Sequence, residues 1–139
     1  MGVDVVNVIA VTVTMFVVGA AWYMGLFAKQ WGEMFGFNKL SKKEQKAMQA
    51  KMGPFYALQV LVTIFSAFAL LKLHTLLPDY SIYTLGLLVW FGFVLPAQIS
   101  SVIFGGVEPK WILRRITIMA GEAIAHLLVA GWVVSLLEK

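Results

Sequence analysis

The chain has 139 residues, of which 60% are hydrophobic and 13% are charged, and it contains no cysteine. Soluble domains have about 45–50% apolar and about 25% charged residues, so this composition excludes an ordinary soluble protein and indicates a lipid environment. The lack of cysteine excludes disulfides, thiolate metal sites and cysteine nucleophiles. The net charge of +4 comes from cations clustered between apolar segments, a distribution that favours membrane topology over nucleic-acid binding.

Four apolar segments follow one another along the chain, at about residues 5–27, 54–77, 81–104 and 111–137. Each reaches the roughly 20 residues that a helix needs to cross a hydrocarbon layer about 30 Å thick. The segments lack the period-two alternation of barrel strands, and only helices otherwise satisfy their own backbone in lipid. We therefore expect an all-α integral membrane four-helix bundle that forms a single transmembrane domain over residues 1–139.

Charges around these segments predict the topology. The first segment follows Asp4 and has no basic leader, so we expect a retained span rather than a signal peptide. Loop one carries six lysines, and the region of loop three carries Lys110, Arg114 and Arg115. Cation-rich loops stay in the cytoplasm, so both termini are expected outside. The sequence thus predicts a multi-pass protein of the cell membrane, either a plasma or an inner membrane.

Loop one contains a predicted helix of its own. Ser41 is followed three residues later by Glu44, which is a capping-box pattern, and Gly53 and Pro54 mark the end of this helix and the start of the next. Between them, lysines occupy one face and small or apolar side chains the other. Two interpretations fit: a solvated connecting helix, or an amphipathic helix on the cytoplasmic membrane surface that binds anionic lipid headgroups.

Two of the segments carry similar motifs. GAAWYMG ends the first apolar segment, and GLLVWFG lies within the third. Prolines at the beginning of the second and fourth segments, in GPFY and EPKW, add to this similarity. The pattern predicts a parallel internal repeat of the kind found in transporters. Chance recurrence of aromatic residues in membrane spans is the alternative interpretation.

The segments VVGAAWYMGLFAKQWGEMFGF, LLVWFGFVLPAQISSVIFGG and AIAHLLVAGWVVSLL resemble the domain of unknown function 1761 family of small four-span membrane proteins. The resemblance covers nearly the whole chain. The residues that match the family pattern are Gly19, Trp22, Tyr23, Phe27, Trp31, Pro96 and His126. The resemblance implies the four-span architecture and implies no particular activity.

The fourth segment contains the candidate site, in the stretch ITIMAGEAIAHLL. Side chains spaced by four and three residues form one stripe along the predicted helix: Arg115, Met119, Glu122, His126 and Val129. Ionisable groups at such depth usually face the bundle interior or a water cavity, and they often mark ion or proton pathways. The stripe therefore predicts a functional site near the middle of the membrane.

Other spans supply polar side chains at similar depth. Tyr23 lies in the first segment, Gln59 in the second and Gln98 in the third. Trp22 and Tyr23 also fit the aromatic belt at a membrane interface. We predict an inner-half polar pocket whose binding or proton-relay residues are Glu122, His126, Arg115, Gln98, Tyr23 and Gln59.

Three functions fit this pattern. Glu122 is simply hydrogen-bonded and sets helix register in a structural or partner-binding subunit. Alternatively, Glu122 and His126 bind an ion or small solute, or relay protons, in a small transporter or channel. The third is enzymatic or metal chemistry, for which two histidines are too few and motifs such as G-x-S-x-G are absent.

We expect a protein that is not an enzyme and has no catalytic residue, metal or cofactor. Four short spans enclose little space by themselves. We therefore also expect a homo-oligomer, with a two-fold dimer favoured because it is the commonest symmetric assembly.

Overall fold

A computed structural model describes residues 3–138 of the chain. Within that range the regular elements are helical, and four helices are long and apolar enough to cross a membrane: Val5–Leu26, Gly53–Leu76, Ile82–Phe104 and Pro109–Leu137. These helices are spans one to four below. Their ends differ from the predicted ends by at most two residues, because hydropathy along the chain determines both. The all-α, four-span architecture is confirmed.

Local sequence accounts for where the spans begin. The carboxylate of Asp4 accepts a hydrogen bond from the Val6 N–H at 2.7 Å and caps span one. The hydroxyl of Ser81 accepts from the Thr84 N–H at 3.1 Å and caps span three. Spans two and four instead have a proline in their first turn, where the missing backbone N–H has no intrahelical partner to lose.

Two further helices, Ala28–Met34 and Lys42–Lys51, lie between spans one and two. The second helix begins with the predicted capping box. The Ser41 hydroxyl accepts from the Glu44 N–H at 3.3 Å, and the Glu44 carboxylate accepts from the Ser41 N–H at 2.8 Å. Hydrogen bonds from the Ser41 hydroxyl and then from its backbone N–H hold the pKa of Glu44 below its ordinary value.

Spans one and three each contain one wider turn of π-helix, at Trp22–Leu26 and Trp90–Val94. In span one the N–H of Phe27 donates to the carbonyl of Trp22, five residues earlier, at 2.9 Å. In span three the wide turn ends just before Pro96, whose ring clashes with a carbonyl of an ordinary α-helical turn. Single π-turns inside α-helices are frequent at functional sites.

Span four packs against both span one and span three. Span two packs against span one and against the first part of span three, Ile82–Val89. We call the side of the chain termini and loop two the terminal side, and the opposite side the loop-one side. The buried core lies towards the terminal side, where Val11, Ala67, Ala130 and Val134 meet. Towards the loop-one side the first ten residues of span two are exposed.

Candidate functional site

Glu122 and His126 lie one turn apart near the middle of span four. The helix Ile112–Leu137 has 26 residues and its midpoint falls between the two side chains. At 1.5 Å per residue it is about 39 Å long, so both groups are far from either membrane surface. The side chain of Glu122 is 12% exposed and that of His126 is 15% exposed, and His126 Nε2 lies 2.8 Å from Glu122 Oε1.

The contact between these two side chains is close but poorly aligned. Although the atoms are within ion-pair distance, His126 Nε2 is buried and has no partner with hydrogen-bond geometry among residues 3–138. A buried polar atom without an aligned partner carries a desolvation cost that a proton, ion or solute can relieve. The imidazole and the carboxylate are therefore in contact without an aligned hydrogen bond between them.

Span one approaches the pair at Gly19. A Cβ atom built on Gly19 would lie 3.0 Å from His126 Nε2 and 3.1 Å from Glu122 Oε1. Small residues allow membrane helices to approach this closely. Gly19 thus brings the backbone of span one against the ionisable pair and excludes lipid from that side.

Side chains from spans one and three donate to consecutive carbonyls of span four, about one turn before Glu122. The bonds run from Trp22 Nε1 to the Ile118 carbonyl (2.9 Å), from Gln98 Nε2 to the Met119 carbonyl (3.3 Å) and from Trp90 Nε1 to the Ala120 carbonyl (3.0 Å). Each tryptophan is the first residue of the π-turn in its own span. These donors hold the helix that carries Glu122 from two sides.

Each of the two tryptophans lies within one of the similar sequence motifs, Trp22 in GAAWYMG and Trp90 in GLLVWFG. Trp22 also packs over Gly121, since a Cβ there would lie 2.9 Å from its ring. The sequence predicted Trp22 as a residue of the interfacial belt and did not single out Trp90. In the fold both indole N–H groups are used to anchor span four.

Tyr23 and Arg115 extend the site towards the loop-one side. Tyr23 lies in the wide turn of span one and is half-buried. Its ring centroid is 4.6 Å from that of Trp31, and the Arg115 guanidinium lies 5.9 Å from the same Trp31 ring. Cation–π contacts act within about 6 Å, so the aromatic rings help to hold Arg115 at this depth.

His126 also lines a cleft of about 480 Å³ between the four spans. All other lining residues are apolar except Ser66, and they include Met15, Leu70 and Val94. Small-molecule sites typically enclose about 300–1,000 Å³. The ionisable pair is therefore connected to a space of ligand size.

Comparison with known proteins identifies the family of this chain. The family described as protein of unknown function (DUF1761) matches residues 6–135. The chain belongs to this family. No curated protein and no solved structure matches it. The family resemblance predicted from the sequence is confirmed, and its description assigns no activity.

Two glutamines were predicted for the pocket of this DUF1761 chain, and the structure places them differently. Gln98 reaches span four through its amide nitrogen, while its amide oxygen is buried with no hydrogen-bond partner in the described part of the chain. Gln59 is exposed on span two and donates to Thr63 at 3.4 Å within its own helix. Depth along the span suggested Gln59, but depth does not specify the direction in which a side chain points around the helix axis.

The predicted site residues of this DUF1761 chain thus form a connected group, apart from Gln59. Glu122 and His126 are in direct contact, Tyr23 and Arg115 lie on their loop-one side, and Gln98 bonds to the backbone just before them. Within residues 3–138, no group of three or more His, Cys, Asp or Glu side chains is placed to hold a metal ion.

Proposed function

We propose that this protein binds a small ion or solute within the membrane and moves it across, with the Glu122–His126 pair as the proton-accepting centre. The observation that supports this function is a carboxylate and an imidazole 2.8 Å apart at mid-span, beside a cleft of about 480 Å³. Ionisable groups are costly at this depth, and where they occur in membrane proteins they commonly serve ion or proton pathways.

The pair can couple proton binding to solute binding. Two ionisable groups in contact take up and release protons as a unit. Each proton that enters or leaves changes the net charge next to the cleft by one, and this alters the affinity of the cleft for a charged or polar solute. Such coupling requires no catalytic residue, metal or cofactor, and we propose a protein that is not an enzyme.

We infer that loops one and three face the cytoplasm and that both termini face outside. The support is the excess of lysine and arginine in those two loops. In this orientation the helix Lys42–Lys51 lies at the inner surface of a cell membrane, plasma or inner. Met48 on this helix and Met52 just after it are exposed and can enter the interface. Its lysines would bind anionic headgroups, each adding about 1 kcal/mol near the surface.

A homo-oligomer, with a dimer favoured, forms part of the proposal. The cleft is open at its side, and the faces of spans two and three carry large exposed apolar side chains such as Phe65, Phe91 and Phe93. A second copy on a two-fold axis would enclose more of this space than one chain can.

Proteoliposomes with an internal pH-sensitive dye test the function. We expect the wild-type protein to conduct or couple protons, and Glu122→Gln to abolish that flux while its oligomer size and helix content remain unchanged. Glu108→Gln is the matched control, because Glu108 is an exposed loop carboxylate paired with Lys110 at 2.9 Å. Absence of proton or solute flux from correctly folded wild-type protein would overturn the transport function.

A non-transporting structural or partner-binding subunit is the second candidate. The observation that favours it is the set of interhelical bonds from Trp22, Trp90 and Gln98, which organise span four without any ligand. For such a subunit, Glu122→Gln would weaken span assembly, and neither wild type nor variant would carry flux. The same liposome assay, combined with a measurement of unfolding, separates the two functions.

A further inference from the structure

The wall of the cleft indicates what kind of molecule it can hold. Met15, Leu70 and Val94 come from three different spans, so apolar surface surrounds the space. Ser66 and His126 are the two polar residues that line it. A wall of this composition selects a small molecule with an apolar body and a single polar group.

The position of Glu122 indicates the charge of that polar group. His126 lines the cleft, whereas Glu122 does not, and Glu122 Oε1 lies beside Gly19 of span one. A ligand in the cleft therefore meets the imidazole, which donates from both nitrogens when doubly protonated, and meets no carboxylate on the wall. An anionic or hydrogen-bond-accepting group fits this wall, and an ammonium group does not.

Ser66 complements the imidazole. Its hydroxyl donates to the Val62 carbonyl at 3.1 Å, so the Ser66 oxygen remains able to accept a hydrogen bond. A protonated carboxyl group has both an acceptor oxygen and an O–H donor, and it can therefore use both polar residues of the wall. An amine cation and a simple anion lack one of these two functions, and an alcohol has both on a single oxygen, whereas the carboxyl group has them on two oxygens that can reach the two residues separately.

The cleft can be reached from the side. Span two contacts span three along Ile82–Val89, and on the span-two wall Ser66 and Ala69 are exposed. Among residues 3–138, the side-chain hydrogen bonds of span two stay within its own helix, so none of them closes this wall against span three. An uncharged apolar molecule concentrates in hydrocarbon and can enter here directly.

We propose that the cleft beside His126 binds a lipophilic monocarboxylic acid that enters from the bilayer between spans two and three. This inference rests on the proposed transport function and names its substrate class. The acid enters protonated. In the cleft it keeps its proton: the carboxyl O–H donates to the Ser66 oxygen, and the carbonyl oxygen accepts a hydrogen bond from His126.

Equilibrium binding of radiolabelled octanoate to the full protein in neutral-lipid nanodiscs tests this inference, with empty nanodiscs subtracted. We expect saturable binding that unlabelled octanoate displaces, and that octylamine and octanol displace at least tenfold less well. His126→Gln should weaken binding at least tenfold. A result in which octylamine displaces as effectively as octanoate would overturn the assignment to acids.

A pair of span-two variants tests the location. Ala69→Phe places a ring in the cleft from an exposed lining position and should abolish saturable octanoate binding. Ala57→Phe is the control, because Ala57 is exposed on the same helix and does not line the cleft. Equal octanoate binding by the two variants would show that the acid is only dissolved in the bilayer or bound elsewhere, and would overturn the site.

Flux measurements separate this inference from the proposed function. Saturable octanoate binding with no movement of octanoate or protons in liposomes would overturn transport and leave the acid site supported. Proton-coupled flux that octanoate neither uses nor inhibits would overturn the acid class and leave transport supported.

Discussion

Spans two and four are both long apolar helices, but different interactions hold them in the bundle. Span four accepts hydrogen bonds from Trp22, Gln98 and Trp90 on its neighbours. The side-chain hydrogen bonds of span two return to its own helix, from Gln59, Thr63, Ser66 and Thr75. Directional bonds therefore fix span four against its neighbours in mid-bundle, whereas span two is held by apolar packing and, near its end, by the contact of His74 Nε2 with Glu138 Oε1 at 3.5 Å.

The difference matters because lipid supplies no hydrophobic force that pushes helices together. Close packing at small residues and hydrogen bonds between helices determine which helices stay in register. Spans one, three and four surround the ionisable pair, and span two forms the remaining wall of the cleft.

The largest effect is expected where span one contacts the pair. Gly19→Val places atoms within about 3 Å of both His126 and Glu122, whereas Gly25→Val adds a side chain where no atom lies within 4 Å. Overpacking of this kind costs about 1–3 kcal/mol. We expect the free energy of unfolding in bicelles, measured by steric trapping, to fall by that amount for Gly19→Val relative to Gly25→Val. Equal free energies of unfolding for the two variants would show that the close approach of span one at Gly19 does not contribute to stability.

The next effect comes from the indole bonds to span four. Trp22→Phe and Trp90→Phe each keep an aromatic ring and remove the N–H donor. Hydrogen bonds between membrane helices contribute about 0.6 kcal/mol on average and up to about 1.7 kcal/mol. We expect each variant to lose stability in that range, measured by the same unfolding method.

Trp132→Phe is the matched control for these substitutions, because Trp132 is 57% exposed. Its loss of stability should be smaller than that of either indole variant. If all three variants were equally stable, the indole bonds to the carbonyls of Ile118 and Ala120 would not stabilise span four, and the contrast with span two would fail.

A smaller effect is expected in span two. Thr63 is buried, but its hydroxyl donates to the Gln59 carbonyl of the same helix at 2.7 Å. This bond lies within one helix, so it is still present when unfolding separates span two from its neighbours. Thr63→Val should therefore change the free energy of unfolding by less than about 0.5 kcal/mol. A loss above 1 kcal/mol would mean that Thr63 also binds across helices, and the contrast between spans two and four would then fail.

The smallest effect concerns another bond that stays within one helix, at the start of Lys42–Lys51. The pKa of Glu44 is lowered in the folded chain by hydrogen bonds from Ser41. A carboxyl group with a lowered folded-state pKa contributes stability above its unfolded pKa, and this contribution is lost as the pH falls through the folded pKa. We expect the first turn of this helix to fray on acidification, with the spans unchanged.

Backbone carbon chemical shifts measured by NMR at pH 6 and at pH 3 would report this fraying. The Ser41→Ala variant lacks the hydroxyl of the capping box. It should therefore show less helix at pH 6 and a smaller change on acidification. A pH response in Ser41→Ala equal to that of wild type would assign the fraying to another group.

Much of the candidate site could be predicted because its main contact is local. Glu122 and His126 are four residues apart, so any helix through them brings the side chains together. Gln59 was placed by depth alone and points elsewhere, because hydropathy does not report the rotation of a helix about its axis. Trp90 was not selected, although it lies within the motif GLLVWFG that the sequence analysis had compared with GAAWYMG.

The sequence by itself determined the four spans, their approximate ends, the capping box at Ser41 and the spacing of the ionisable pair. All of these depend on residues that are close together in the chain, through hydropathy, helix periodicity and local hydrogen bonds. Only the tertiary structure determined that Gly19 lies against the pair, that indoles from two spans anchor the helix before Glu122, and that His126 faces the cleft. Those contacts depend on how the helices are rotated and packed against each other, which no local pattern specifies.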